Sequence, residues 1–364
     1  MKLQQITEEL EKWAPLPLQE SYDNSGLIVG DGSNEVAKAI VSLDCTEEVV
    51  QEAIDNGAQL VIAHHPIVFS GLKRFNGKNY VERTIMKAIK NDIAIYAIHT
   101  NLDNVTDGVN HHFANLLGLE NQRILAPKGE QYLKWVVFVP KNDAEKVRSA
   151  MFQAGAGAVG DYDECSFNLE GEGTFRAGEG TNPHVGSIGE RHTEEEIRVE
   201  MISERWKRSA IERAMIAAHP YEEVAFNLYA LENKARNIGS GMIGELNEPM
   251  PFERFLKHLK ESLDLPVIKY TRPSSDTVKS VAICGGSGFF LLNAAKGAKA
   301  DVYITSDIKY HQFFDAEGKI SLMDIGHWES ERKTSELIVD RLKHIFPTFA
   351  VHLSEINTNP VNYY

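Results

Sequence analysis

Short apolar runs alternate with amphipathic segments along much of this chain, and the alternation restricts the fold more than any other feature. In the N-terminal part, strands are predicted at 39–44, 60–66 and 93–100, with helices near 46–53 and 81–90. Strands that are apolar on both faces are typical of parallel sheets with helices on either side. The pattern therefore predicts an α/β fold.

The same alternation returns in the C-terminal part of the chain. Strands are predicted there at 278–286, 301–307, 320–327 and 349–356, and a long helix is predicted over 330–345. Both ends of the chain are therefore expected to be α/β with mostly parallel sheets.

The middle of the chain has a different composition, which predicts an insert. Nine of the 27 glycines lie between 155 and 190, and eleven acidic residues but only three basic ones lie between 161 and 200. This composition predicts a solvated connector of loops and turns. Because a strand and a helix precede it and a helix and a strand follow it, we expect a ferredoxin-like α+β insert over 128–234. Residues 1–127 and 235–364 are then one discontinuous α/β domain.

Charge and cysteine content exclude several classes of protein. With 38 basic and 52 acidic residues the net charge is −14, which argues against a non-specific nucleic-acid binder or a protein of anionic membrane surfaces. Three widely separated cysteines without a CxxC motif exclude a disulfide framework and fit a reducing compartment. No apolar run approaches the ~18 residues of a membrane span. We expect a soluble, cytoplasmic protein.

Histidines and carboxylates follow three of the predicted strands. His64 and His65 end one strand, Asp103 follows the next, and His327 and Glu331 follow a third. Ligand sites in α/β proteins form at the carboxyl ends of the strands, so these side chains are expected to lie together. The spacing of four residues between His327 and Glu331 can put both on one helix face.

Three imidazoles and two carboxylates are more ligands than one tetrahedral zinc ion needs. The set therefore predicts two adjacent divalent ions. Histidine and carboxylate ligands suit zinc, iron and manganese alike, so the metal is left open. Four further residues are candidates for supporting the ligands or contacting a substrate: Asp23, His99, Thr100 and Asn101.

The glycine-rich segment 284–288, CGGSG, lies between a predicted strand and a predicted helix. Its backbone N–H groups can cradle a phosphate at a helix N-terminus, or the glycines can serve tight packing of strand against helix. The segment lacks both the GxGxxG spacing and the lysine of a P-loop. The two interpretations stay open at this point.

Six motifs resemble, in the same order, those of the Nif-three-like family, whose bacterial members are named GTP cyclohydrolase I type 2 homologues. The motifs are YDNSGLIVG (22–30), AHHPIVF (63–69), HTNLDNVTDGVN (99–110), ICGGSG (283–288), TSDIKYH (305–311) and DIGHWESE (324–331). The insert, with HPYEEVAF at 219–226, is similar to the CutA/PII-like domain of the family's YqfO-type members. One departure is Ser306, where relatives often have glycine.

The resemblance implies a function and an assembly. It implies a two-metal site whose ligands are His64, His65, Asp103, His327 and Glu331, with Glu331 bridging the ions. It also implies a toroidal homohexamer whose metal sites face an interior cavity.

We therefore interpret the chain as a two-metal-dependent hydrolase in which metal-bound hydroxide attacks a small, nucleotide-like substrate. For a GTP cyclohydrolase the target is C8 of the purine ring. Two alternatives are a phosphoesterase with the same metal pair and a metal-binding regulatory or interaction protein without turnover. A catalytic site keeps an open coordination position, whereas a structural site is closed.

Overall fold

The structure, a computed structural model, describes residues 1–364 and divides into two compact units. The first unit combines Met1–Pro127 with Arg236–Tyr364, and the second is Lys128–Ala235. The strands are β1 Gly26–Val29, β2 Lys38–Ser42, β3 Leu60–Ala63, β4 Ala94–Ala97, β5 Glu120–Pro127, β6 Tyr132–Pro140, β7 Phe167–Arg176, β8 Arg191–Glu204, β9 Phe226–Leu231, β10 Gly239–Pro251, β11 Lys269–Tyr270, β12 Thr277–Ile283, β13 Val302–Thr305, β14 Ser321–Asp324 and β15 Ala350–Leu353. The α-helices are α1 Leu3–Trp13, α2 Glu47–Asp55, α3 Tyr80–Lys90, α4 Thr100–Asp103, α5 Val109–Leu116, α6 Ala144–Gln153, α7 Arg208–Ala218, α8 Phe252–Leu263, α9 Leu292–Gly297, α10 His327–Glu331 and α11 Thr334–Ile345. Short 3₁₀ helices cover Leu16–Leu18, Arg205–Lys207, Phe289–Leu291 and Tyr310–Ala316.

The first sheet of the larger unit has the strand order β1-β4-β3-β2-β15. All its pairings are parallel except that of β1 with β4, which is antiparallel. Strands β3 and β4 are buried along their whole length, as expected for strands between helices. Helix α2 begins after Thr46, whose hydroxyl accepts the N–H of Val49 at 3.3 Å, a typical N-cap. Val49 then packs with Ile85 of α3 in the same core.

The second sheet of this unit has the order β11-β14-β13-β12-β10-β5. Only β12, β13 and β14 pair in parallel, while β5, β10 and β11 are antiparallel to their neighbours. The prediction of mostly parallel sheets is therefore wrong for this sheet. Strands β5 and β10 are polar or glycine-containing over much of their length, so they lack the apolar run that identifies a buried parallel strand.

The smaller unit has the element order β6-α6-β7-β8-α7-β9 and one antiparallel sheet, β7-β8-β6-β9. This βαββαβ order is ferredoxin-like, and its likeness to a CutA/PII-like domain stays a prediction. The expectation of loops throughout 155–190 is wrong, because β7 lies within that range. Most β7 side chains are exposed, so no apolar alternation marks the strand, which is held by its backbone pairing with β8.

The predicted long helix over 330–345 is divided in two in the structure. His327, predicted at the end of a strand, begins α10, and Glu331 ends that short helix rather than beginning a long one. Arg332 and Lys333 separate it from α11, and because neither glycine nor proline occurs there, the sequence carries no signal for the break. No helix combines the length and hydrophobicity that a membrane crossing requires.

Candidate metal centre

The carboxyl ends of strands from both sheets of the larger unit meet at one place, and the five predicted ligands lie there. His64 and His65 follow β3, and Asp103 ends α4, which begins just after β4. His327 and Glu331 are the first and last residues of α10, which follows β14. The two sheets therefore each contribute part of one cluster.

Glu331 Oε2 and the Nε2 atoms of His65 and His327 form a compact group of three donor atoms. The carboxylate oxygen lies 3.0 Å from His65 Nε2 and 3.1 Å from His327 Nε2, and the two nitrogens are 3.4 Å apart. Ligand atoms bonded to zinc at about 2.0–2.1 Å in a tetrahedron lie about 3.4 Å from one another. The three atoms are thus spaced like one face of a metal coordination sphere.

A second group combines the other oxygen of Glu331 with His64 and Asp103. His64 Nε2 lies 3.7 Å from Asp103 Oδ1 and 4.0 Å from Glu331 Oε1. His64 Nε2 and Asp103 Oδ1 are buried and have no hydrogen-bond partner, although buried polar atoms are nearly always paired. A divalent cation would satisfy both atoms, so the residues present fit a metal ion.

Each of the three histidines is held through its Nδ1 atom. The bonds join His64 Nδ1 to Ile98 O (2.8 Å), His65 Nδ1 to Asp44 Oδ1 (2.7 Å) and His327 Nδ1 to Asp307 Oδ2 (2.6 Å). A bond of this kind fixes the ring and leaves Nε2 to face a metal. The histidines are thus oriented by the protein itself.

Asp44 and Asp307 were not among the residues singled out from the sequence. Both are the last residues of predicted strands, 39–44 and 301–307, and both lie at the edge where the histidines lie. The strand-end rule that points to the histidines applies equally to these two carboxylates.

The charged groups of the cluster shift one another's pKa values. Burial disfavours protonation of His65 and His327, but the hydrogen bonds and charges of Asp44, Asp307 and Glu331 outweigh it and raise their pKa values to about 9 and about 11. Burial likewise disfavours the ionised form of Glu331, yet the two imidazoles hold its pKa well below the usual range.

His64 and Asp103 are shifted mainly by burial. Burial lowers the pKa of His64 to about 3, so its imidazole is neutral at pH 7. The pKa of Asp103 is raised by burial and by the charge of Glu331. A divalent ion between these carboxylates would stabilise both in the ionised form.

His99 lies beside the cluster and is hydrogen-bonded to Asp23 and Asn101. Its Nδ1 is 2.7 Å from Asp23 Oδ1, and its backbone N–H donates to Asn101 Oδ1 at 2.9 Å. Asp23 also accepts the backbone N–H of Thr100 at 3.0 Å. The ligand atoms of His99, His64 and His65 lie within 4.8 Å of one another. His99 is therefore placed to reach a metal or a substrate, whereas Asp23 and Asn101 support it.

A cavity of about 830 Å³ opens beside the cluster. His65, His99, Asp103, His327 and Glu331 form part of its wall. Four aromatic side chains that line the cavity are more than half exposed, namely Tyr22, Phe69, Tyr80 and Phe290. The candidate metal ligands and flat apolar surfaces thus face the same space.

Four of the five backbone N–H groups of the glycine-rich segment donate within the protein, and that of Cys284 bonds to Ile304 O at 2.9 Å. Those of Gly285, Gly286 and Gly288 donate to Asn110 Oδ1 (3.0 Å), Ser330 Oγ (2.9 Å) and Thr305 Oγ1 (2.8 Å). Because these donors are already bound, the structure favours tight packing over a phosphate cradle.

The absence of a side chain at Gly286 leaves space for the carboxylate of Glu331. The backbone of Gly286 has φ +61°, and a Cβ there would lie 2.3 Å from Glu331 Oε1. The hydroxyl of Ser306 donates to the carbonyl of Gly286 at 2.6 Å. Ser306 therefore braces the turn against which Glu331 packs.

Comparison with known proteins identifies the family. A family model described as Duf34/NIF3 (NGG1p interacting factor 3) matches residues 1–360. The chain belongs to the Duf34/NIF3 family. The predicted resemblance is thus confirmed, and the match includes the insert.

Similar proteins share the architecture of this NIF3-family chain from end to end. A relative from Halalkalibacterium halodurans, named GTP cyclohydrolase 1 type 2 homolog, is 40% identical over 327 residues, which are 89% of this chain and 88% of the relative. A relative of the same name from Bacillus subtilis (strain 168) is 36% identical over 366 residues, 99% of this chain and 98% of its own. The crystal structure of a Bacillus cereus protein related to NIF3 matches with a TM-score of 0.85 and 38% identity, covering 100% of this chain and 99% of that one.

Proposed function

We propose that this NIF3-family protein is a hydrolase that holds two divalent metal ions and acts on a small, nucleotide-like substrate. The ligands that we assign are His64, His65, Asp103, His327 and Glu331. Held by these residues, two divalent ions would supply the Lewis acidity that hydrolysis needs. Zinc, iron and manganese all suit this set of nitrogen and oxygen donors.

The two oxygens of Glu331 carry the proposal. Oε2 lies within 3.1 Å of the Nε2 atoms of His65 and His327, while Oε1 faces His64 Nε2 at 4.0 Å. One carboxylate therefore serves two separate donor groups, which is the arrangement of a bridging ligand. This geometry supports two ions rather than one.

The cavity wall supports the assignment of the substrate class. Exposed rings of Tyr22, Phe69 and Phe290 offer flat faces on which a purine or pyrimidine base can stack. His99, oriented by Asp23, presents a hydrogen-bonding edge to the same space. The name GTP cyclohydrolase 1 type 2 homolog carried by the relatives agrees with a nucleotide, and for GTP the reaction would open the imidazole ring at C8 and release formate.

The proposal is tested on one sample of full-length protein purified without oxygen. Elemental analysis should find two metal ions per chain, and the same sample should turn over at least one compound of a nucleotide and phosphoester panel. Formate release from GTP would identify the cyclohydrolase reaction, and phosphate release would identify a phosphoesterase. Chelation should abolish turnover, and added metal should restore it.

Two experimental results would contradict the proposal. Protein that carries two ions but converts no member of the panel would favour a regulatory metal-binding protein. Protein that carries no ion after anaerobic purification and metal addition would overturn the metal centre itself.

A further inference from the structure

Residues 354–364, here called the C-terminal segment, run from the first sheet of the larger unit to helix α10, beside the proposed metal ligands. The segment follows β15, and at its start the N–H of Ser354 donates to Val41 O of β2 at 2.8 Å. Farther along, Asn359 Nδ2 donates to Glu329 Oε1 at 3.0 Å, and the hydroxyl of Tyr363 bonds to the same carboxylate. Because Glu329 belongs to α10, the segment joins the first sheet to the helix that carries two of the ligands.

Between these anchors, Thr358 contacts the support of one ligand. Its Oγ1 donates to Asp44 Oδ2 at 2.6 Å, and the other oxygen, Oδ1, lies 2.7 Å from His65 Nδ1. His65 Nε2 in turn lies 3.0 Å from Glu331 Oε2. Three consecutive contacts thus lead from the C-terminal segment through Asp44 and His65 to Glu331.

The side chain of Asp44 needs such an anchor. It is 32% exposed, twice the 16% exposure of His65, so one face of the carboxylate is open to water. With only one oxygen bound, the group can rotate about its side-chain bonds. With each oxygen bound to a separate partner, its plane is fixed, and so is the direction of the imidazole that it holds.

We propose that the C-terminal segment is part of the metal centre and that Thr358 is a positioning residue, which aims His65 through Asp44. This inference rests on the proposed metal centre. It assigns a function to a segment that lies outside the motifs of the ligands and contains no ligand itself. Removing the Thr358 hydroxyl should weaken metal binding without removing any ligand.

The experiment measures Zn²⁺ binding by the metal-free, full-length chain in competition with a chromophoric chelator. Thr358→Val keeps the shape of the side chain but loses the hydroxyl, and we expect Zn²⁺ affinity at one of the two sites to fall about tenfold, the lower end of the effect of losing an outer partner. Thr358→Ser keeps the hydroxyl and should restore affinity. Thr277→Val, at an exposed threonine of β12, is the matched control and should bind as the wild type does.

A double-mutant cycle separates positioning from a general loss of structure. If Thr358 acts through Asp44, then Thr358→Val should cause no further loss of affinity in a chain that already carries Asp44→Ala. An equal, additive loss in that background would overturn the proposed route. The melting temperature of the metal-free Thr358→Val variant should lie within about 4 °C of that of the metal-free wild type, as expected for the loss of one half-buried hydrogen bond.

The outcomes distinguish this inference from the proposed function. Wild-type protein that binds two Zn²⁺ ions, together with a Thr358→Val variant of equal affinity, would overturn only the role of Thr358. Wild-type protein that binds no Zn²⁺ would overturn both proposals. A tenfold loss that serine repairs and that disappears in the Asp44→Ala background would support both.

Discussion

Glu331 is the residue on which the two donor groups converge. It is almost fully buried, its Oε2 approaches two imidazoles, and its position depends on the missing side chain of Gly286. A buried carboxylate of this kind is stable only with positive partners. Its removal should therefore affect both of the proposed metal ions at once.

We predict that Glu331→Ala lowers bound metal from two ions per chain to one or none. The reason is that each donor group loses an oxygen, so neither retains its full ligand set. Elemental analysis of the purified variant measures the change. Glu253→Ala, at an exposed glutamate of α8, is the control and should retain two ions, while an unchanged metal content in Glu331→Ala would disprove the bridging role.

The carboxyl group of Asp23 should make the free energy of unfolding depend on pH. Burial raises the pKa of its carboxyl, but the bonds from His99, Thr100 and Asn24 outweigh burial and hold the pKa well below the usual range. A depressed pKa contributes stability above the unfolded-state value of about 3.9 and loses it as the pH falls toward the folded-state value. Asp23→Asn should thus lower the free energy of unfolding by about 1.5–3 kcal/mol at pH 7, the range for bonds to a charged group.

This difference between Asp23→Asn and the wild type should shrink as the pH is lowered below about 4. Urea denaturation at a series of pH values measures it. Asp276→Asn, at an exposed aspartate, should show little difference at any pH. A destabilisation by Asp23→Asn that is the same at pH 7 and pH 3 would show that the ionised carboxylate is not what stabilises the site.

At the scale of single residues, the sequence identifies the residues that offer donor atoms more readily than the residues that orient them. His64, His65, Asp103, His327 and Glu331 are recognisable because histidine and carboxylate at strand ends are ligand types. Asp44 is also a carboxylate at a strand end, but the sequence does not show that it holds His65 rather than a metal, and Thr358 carries no signal because a threonine after a strand is usually a cap or a turn residue. Their role follows only from the 2.6 Å and 2.7 Å contacts that tertiary folding creates.

At the scale of elements, α8 shows how a helix is held on the second sheet. Phe252, Phe255, Leu259 and Leu263 are spaced at three and four residues and are all buried in one core. This spacing defines one helix face. The sheet side of that core includes Val281 and Ile304.

We predict that Phe255→Ala lowers the free energy of unfolding by about 3–5 kcal/mol, the range for deleting a buried aromatic ring. The side chain has 0% exposure, so its loss leaves a cavity. Urea denaturation monitored by circular dichroism tests the prediction. Ile89→Ala, at a residue of α3 that is 56% exposed, should change stability by no more than about 0.5 kcal/mol; equal effects of the two variants would contradict the packing argument.

Elements with continuous apolar runs were predictable, and those without them were not. Strands β3 and β4 are buried on both faces and fall within the predicted ranges 60–66 and 93–100, and β2 begins one residue before the predicted range 39–44. Strand β7 is exposed along most of its length, and its strand conformation depends on pairing with β8. Since that pairing involves residues distant in the chain, no local pattern records it.

At the scale of the whole molecule, we propose the homohexamer that the family resemblance implies. Tyr310 is 74% exposed and Phe314 66% exposed, and their rings contact each other at 5.7 Å. Exposed aromatic pairs of this kind are typical of protein interfaces. They are candidates for contacts between subunits.

Light scattering during size-exclusion chromatography should give six times the mass of the 40.7 kDa chain. A Phe314→Asp variant should shift the mass toward smaller species, because a charge would be buried in the contact. Tyr162→Asp, at an exposed tyrosine of the insert, is the control and should leave the mass unchanged. A wild-type mass of one chain at micromolar concentration would contradict the prediction.

The sequence by itself determined the α/β class of the larger unit, most of its buried strands and the residue types at their ends. These properties depend on residues a few positions apart, so a local pattern contains them. The tertiary structure alone decided that β15 pairs with β2, that the second sheet is mixed, and that α10 approaches β3 so that Glu331 lies between two groups of donors. It also decided that Thr358 reaches Asp44. These contacts join distant parts of the chain, and they exist because helices and sheets bury their apolar faces in common cores, which is a property of the packed whole and not of any segment.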